Sequence, residues 1–119
     1  MKNPVILRAA DAAHVPMESG ALTWLASRAL GNSDSMTVGR ATLPPGGMSP
    51  RHFHPNCEEV LHVLQGKILH TMGDDEAGMA TGDTITIPVG VVHNARNIGD
   101  TDALLLICFS SADRETVWV

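Results

Sequence analysis

At 119 residues the chain is one domain's worth, with an apolar fraction of 44% and a charged fraction of 18%, the balance of a folded globular protein. The net charge of −5, the lack of any basic block and an aromatic content of 3% argue against a nucleic-acid partner, which would need cations for phosphates and rings for bases. No apolar run approaches membrane-spanning length, and the one near the start, Val5-Ile6-Leu7, is cut by Arg8, too short for a secretory leader. A cytoplasmic protein with no membrane partner is expected, and Cys57 and Cys108, far apart in sequence, read as two reduced thiols.

In chain order, Val5 to Arg8 and Ala21 to Arg28 read as short strands separated by Pro16 and Gly20, with at most a helical turn over Ala9 to Ala13. Thr37 to Leu43 is a clearer strand, closed by the turn cluster Pro44-Pro45-Gly46-Gly47. Val60 to Leu64 and Lys67 to Met72 flank Gly66, and the acidic stretch Gly73-Asp74-Asp75-Glu76 reads as a loop. Thr84 to Ile87 follows Gly82-Asp83 and ends at Pro88-Val89-Gly90. His93 to Ile98 and the fully apolar Ala103 to Phe109 complete the series. Short strands bounded at even spacing by Gly, Pro or Asp predict an all-β sandwich or barrel.

The chemistry concentrates in P-R-H-F-H-P-N-C-E-E, residues 50 to 59. Side chains alternate faces along a strand, so His52 and His54 point the same way, close enough to share an ion, while Arg51 and Phe53 face away. Pro55-Asn56 interrupts the strand, and parity alone does not choose between Glu58 and Glu59. His62 falls on the face opposite Glu59, so the two are not ligands together. His93, after the Pro88-x-Gly90 turn, supplies a distant third imidazole. Such a set suits a divalent transition metal.

The spacing of the turn residues adds a second line. Gly46, His52, His54, Glu59 and Gly66 read G-(x)5-H-x-H-(x)4-E-(x)6-G. Gly82, Pro88, Gly90, His93 and Asn97 read G-(x)5-P-x-G-(x)2-H-(x)3-N. In both motifs the chain resembles the cupin family, with motif one over 46–66, motif two over 82–97 and fifteen residues between, as in small single-domain cupins of the monocupin type. The resemblance implies one cupin domain over 1–119, an antiparallel jelly-roll barrel (a double-stranded β-helix) with a metal near one mouth. It implies His52, His54, Glu59 and His93 as metal ligands, Glu58 as a surface residue, and Gly46, Gly66, Gly82 and Gly90 as turn glycines. Asn97 is expected to stabilise a turn or support the ligands.

Three imidazoles and one carboxylate leave open positions on a five- or six-coordinate ion, so the site is expected to work on a bound molecule. Fe, Mn, Ni, Cu and Zn all suit these donors. The expected function is metal-dependent chemistry on a small organic metabolite, of dioxygenase, isomerase, lyase or cyclase type. The alternative is a non-catalytic module that binds or senses a small molecule such as a sugar. No tyrosine is present, so a general acid or base must be His, Glu, Asp or metal-bound water.

The remaining polar residues have plainer readings. His62 and His70 are read as hydrogen-bonded interior or interface residues, Cys57 as a packing or surface thiol, and Met36, Met48, Met72 and Met79 as apolar filler. Phe53, Val60, Leu61, Val63 and Leu64 are assigned to core or interface. Arg40 either anchors a substrate carboxylate inside the barrel or is solvated. A homodimer is expected, paired through the apolar segments Val5-Ile6-Leu7 and Thr116-Val117-Trp118-Val119.

Overall fold

The structure is a computed structural model that describes residues 5–119; the Met1-Lys2 start of the leader reading lies outside them. A 3-10 turn at Ala9–Asp11 leads into eleven strands: β1 (Ala13–Met17), β2 (Gly20–Ala26), β3 (Thr37–Leu43), β4 (His52–Phe53), β5 (Glu59–Gln65), β6 (Lys67–Met72), β7 (Asp75–Ala80), β8 (Thr84–Ile87), β9 (His93–Asn97), β10 (Ala103–Phe109) and β11 (Val117–Trp118). They form two antiparallel sheets, one ordered β1-β2-β3-β10-β5-β8 and the other β11-β4-β9-β6-β7. This is the expected jelly roll, its two sheets closing around a shared interior.

The alternation that builds the interior is plainest in β10. Ala103, Leu105, Ile107 and Phe109 are buried and the residues between them only partly so. β10 lies at the centre of its sheet between β3 and β5, so its apolar outer face is shielded by neighbours. β5 follows the same rule, with Glu59, Leu61 and Val63 inward and Val60 and His62 outward. Glu59 therefore enters the interior on the same face as two core residues, which is what period-two geometry requires. The face ends at Val63. A register shift between Leu104 and Leu105 leaves Leu64 exposed, so of its core-or-interface assignment the core is excluded.

Two turns join the motifs. Gly90 adopts φ +79° and its N–H donates to the His54 carbonyl at 2.9 Å, so a glycine of motif two holds a histidine of motif one. Gly66 has φ +100°, which L side chains rarely adopt, and a Cβ there would sit 3.1 Å from the Ala103 Cα, a tight fit that adds to the preference for glycine. Asn97 is buried, donates Nδ2 to the Leu43 and Thr101 carbonyls at 2.8 Å each, and accepts from the Gly99 N–H at 2.8 Å. It fastens a turn, as expected.

Several boundaries differ from expectation. Val5 to Arg8 is not a strand, and the first strand is β1, which carries Pro16. β1 is an edge strand, where a missing N–H is tolerated. The acidic stretch is a loop only at Gly73-Asp74, since Asp75 and Glu76 open β7 and pair with β6. β11 pairs with β4 of the same chain, Val117 opposite Phe53 and Trp118 opposite His52, so one side of this segment is occupied internally. Met36 and Met48 are exposed, outside the strands and unable to act as filler, whereas Met79 packs in the core.

Candidate metal centre

β4 presents His52, the residue after it presents His54, β5 presents Glu59 and β9 presents His93; His52 and His93 are partners in the β4–β9 ladder. One donor atom from each of the four lies within 4.8 Å of every other. An ion bound at ~2.0–2.2 Å by each donor holds opposite donors at most about 4.4 Å apart, so a contraction of a few tenths of an ångström closes the set. His54, Glu59 and His93 are 3%, 4% and 2% exposed, and His52 is more open, which puts the mouth on its side. Glu58 is exposed.

The imidazoles are aimed before any ion arrives. Nδ1 of His52 lies 2.8 Å from the Pro50 carbonyl, that of His54 2.9 Å from the Glu115 carbonyl, and that of His93 2.9 Å from the Val91 carbonyl. A carbonyl only accepts, so each Nδ1 must carry the proton and each neutral ring offers the Nε2 lone pair inward. The consequence is visible at Glu59, whose Oε1 lies 3.0 Å from His93 Nε2 and 3.2 Å from His54 Nε2. Acceptors do not gather unless a cation sits among them. The His54 contact is too poorly aligned to be a hydrogen bond, and that buried nitrogen has no partner. The donors present thus fit one divalent transition-metal ion.

Without an ion, protons serve. Burial alone would lower the His93 pKa, but the hydrogen bond and charge of Glu59 outweigh it and raise it. Burial would raise that of Glu59, but the close approach and charge of His54 and His93 bring it down to about 2. His52 is held at about 4, chiefly by burial, with the neighbouring imidazoles adding to the effect.

The four residues open onto a cavity of about 80 Å³ inside the barrel. At ~10–15 Å³ per water-sized group, it holds about five to eight of them. Apart from these four residues its walls are largely apolar, including Leu22, Leu43, Leu61, Leu105 and Ile107. Trp118 closes one side, its ring centroid 5.1 Å from that of His52.

The other candidates separate clearly. Arg40 is exposed on the outer face of β3 and is solvated. His62 also faces outward and pairs through Nδ1 with Thr84 Oγ1 at 2.7 Å. Cys57 is 2% exposed and packed in the core, and burial pushes its thiol pKa up. Cys57 and Cys108 are both free thiols.

His70 departs from its reading as a hydrogen-bonded residue: it is 1% exposed and neither ring nitrogen has a partner. Its ring lines the cavity, stacked 5.8 Å from that of His93, and burial holds its pKa at about 4. The inward parity of Ile68 and His70 on β6 was readable; the missing partner was not. Arg114 and Trp118, both lining the cavity, were missed as site residues because no motif marks them.

Comparison with known proteins supplies the remaining context. A family model described as a cupin domain matches residues 39–109. Germin-like protein 3-8 of Oryza sativa subsp. japonica is 33% identical over 85 residues, 67% of this chain and 38% of its own length. Oxalate oxidase 1 of Hordeum vulgare is 30% identical over 96 residues, 74% of this chain and 48% of its own. The chain thus spans less than half the length of these curated relatives. Among solved structures, the formate complex of Lactobacillus farciminis oxalate decarboxylase superposes with a TM-score of 0.85 at 23% identity, over 92% of this chain and 34% of that one. A recombinant oxalate oxidase in complex with glycolate does so with a TM-score of 0.78 at 25% identity, over 87% and 56%.

Proposed function

The chain belongs to the cupin family, and from that premise we propose that it holds one divalent transition-metal ion on His52, His54, Glu59 and His93 and acts on a small organic molecule admitted to the barrel. The carrying observation is the set of three Nδ1–carbonyl hydrogen bonds, which leave three imidazole lone pairs and a buried carboxylate converging on one point. A core with no such task would not bury these groups together, because without an ion only the His93–Glu59 contact makes a hydrogen bond and His54 Nε2 is left with none. When bound, the ion supplies Lewis-acid or redox chemistry at an open coordination position.

The chain's own residues define what enters. The cavity volume limits the substrate to a few non-hydrogen atoms, and the apolar walls exclude bulk water from it. Those walls also disfavour the sugar-sensing alternative, since several hydroxyls would be buried against Leu and Ile side chains without partners. Formate, glycolate and oxalate, named with the similar oxidases and decarboxylases, are of the size that fits. The reaction is left at the level of oxidation, isomerisation or carbon-bond cleavage.

Elemental analysis of protein purified without a metal-affinity tag is expected to find about one transition-metal ion per chain. His52→Ala combined with His93→Ala is expected to abolish that loading while the β-sheet circular dichroism persists. Full metal content in the double variant would sink the assignment.

A further inference from the structure

The cavity contains a cation that the metal centre does not use. Arg114, on the segment between β10 and β11, is half-buried and lines the cavity. Its guanidinium carbon lies 4.4 Å from the Trp24 ring centroid and 5.3 Å from that of Phe109. Phe109 in turn meets the His54 ring edge-on at 4.9 Å and pairs with Glu59 in the β10–β5 ladder. The guanidinium is therefore fixed by stacking on the metal-centre side of the cavity.

Its hydrogen bonding is incomplete. Of five N–H donors, one on Nη1 goes to Thr116 Oγ1, and none of the others has a protein partner among the described residues. No carboxylate pairs with it: the ion pairs among those residues join Arg28 to Asp34 and Asp113, and His54 and His93 to Glu59. Arg28 makes the contrast. Its side chain is 54% exposed, yet Nε donates to both carboxylate oxygens of Asp113, at 3.1 and 2.9 Å. The solvated arginine has a carboxylate partner, and the half-buried one has none. A half-buried guanidinium whose remaining donors are unclaimed by the protein is set to take the oxygens of an anion.

We propose that Arg114 anchors the carboxylate of a short aliphatic monocarboxylic acid whose hydrocarbon end lies against Leu22, Leu43, Leu61, Leu105 and Ile107. The proposal rests on the reading that the barrel admits a small molecule beside the metal centre, and narrows its class. The planar fork of donors matches a carboxylate. Among the described residues Arg114 is the sole Lys or Arg side chain lining the cavity, so a second carboxylate at the aliphatic end would be desolvated without a cation. The volume of about 80 Å³ suits an acid of four carbons or fewer.

The test is calorimetric titration of zinc-loaded and zinc-free full-length protein with butyrate, butyramide and succinate. These share one carbon skeleton and differ in the charge at one end or the other. Butyrate is expected to bind at least about tenfold more tightly than either comparator, and Arg114→Gln to lose that advantage. Arg114→Lys, which keeps the charge without the fork, should retain part of it.

Undiminished butyrate affinity in Arg114→Gln, equal affinity for succinate, or no binding of butyrate by the parent protein would overturn the proposal. So would loss of zinc or of the fold in Arg114→Gln, since Arg114 would then be support for the His54 segment. Zinc content is measured separately. A chain that binds no zinc refutes the metal-centre reading, whereas Arg114-dependent butyrate binding in the same zinc-free protein upholds the anchor.

Discussion

Glu58 and Glu59 share a peptide bond and a side-chain type, yet one is exposed and the other is the carboxylate among three imidazoles. Strand parity paired His52 with His54, and the resemblance to the two cupin motifs chose Glu59 over Glu58 and completed the set with His93, so the four converging residues were legible in the sequence. Arg114 and the orphaned nitrogens of His70 were not, because their condition depends on which atoms meet across distant parts of the chain. The same residues set a pH dependence. In the metal-free protein His52 and His70 are held near 4, so between their ordinary pKa of about 6.5 and 4 the unfolded chain binds more protons than the native one. Their contribution is whole above pH 6.5 and is lost as pH falls through that window. His93, raised by Glu59, works in the opposite sense, contributing most below pH 6.5 and less as pH rises through its own value. Glu59, held at about 2, adds a further loss below pH 4.5. The denaturant midpoint of the metal-free protein is therefore expected to be lower at pH 4.5 than at pH 7, and His70→Leu should flatten the change. A midpoint that rises on acidification would reverse the sign worked out here.

At the scale of elements, the strands read correctly are the ones with a buried face to announce them. β3, β5 and β10 alternate between core and outer face, and their sequences show it. The three unread strands, β1, β7 and β11, are each the last strand of a sheet. In β7 only Met79 is buried, and in β1 nothing is, so tertiary pairing creates these strands where no apolar pattern foretells them. Asn97 shows the opposite case, a single side chain whose role in closing β9 follows from its place in motif two. Asn97→Ala removes three hydrogen bonds and leaves the Leu43 carbonyl without that donor. Urea denaturation is expected to show a loss of about 3 kcal/mol. Metal content at neutral pH should be unchanged, since Asn97 touches none of the four ligand residues.

For the molecule as a whole, the most exposed large apolar side chains lie near the two ends of the described chain. Ile6, Trp118 and Val119 are 64%, 62% and 76% exposed, and β11 is the outermost strand of its sheet, with one side paired to β4 and the other unpaired. An edge of this kind pairs readily with a second copy. Light scattering is expected to report a dimer mass, and Ile6→Asp with Val119→Asp to shift it to monomer. A monomer in the parent protein at high concentration would remove the prediction.

The three carbonyls that orient the imidazoles carry a further consequence. Folding aligns the donors in advance, so exchanging one ion for another is a substitution at a finished socket and requires no remaking of the chain. Nitrogen and oxygen donors rank divalent metals by an order common to most such sites. On the proposed function, occupancy would then follow the host's ion supply at the time of synthesis, and one polypeptide made in cells rich in manganese or rich in zinc would carry different chemistry.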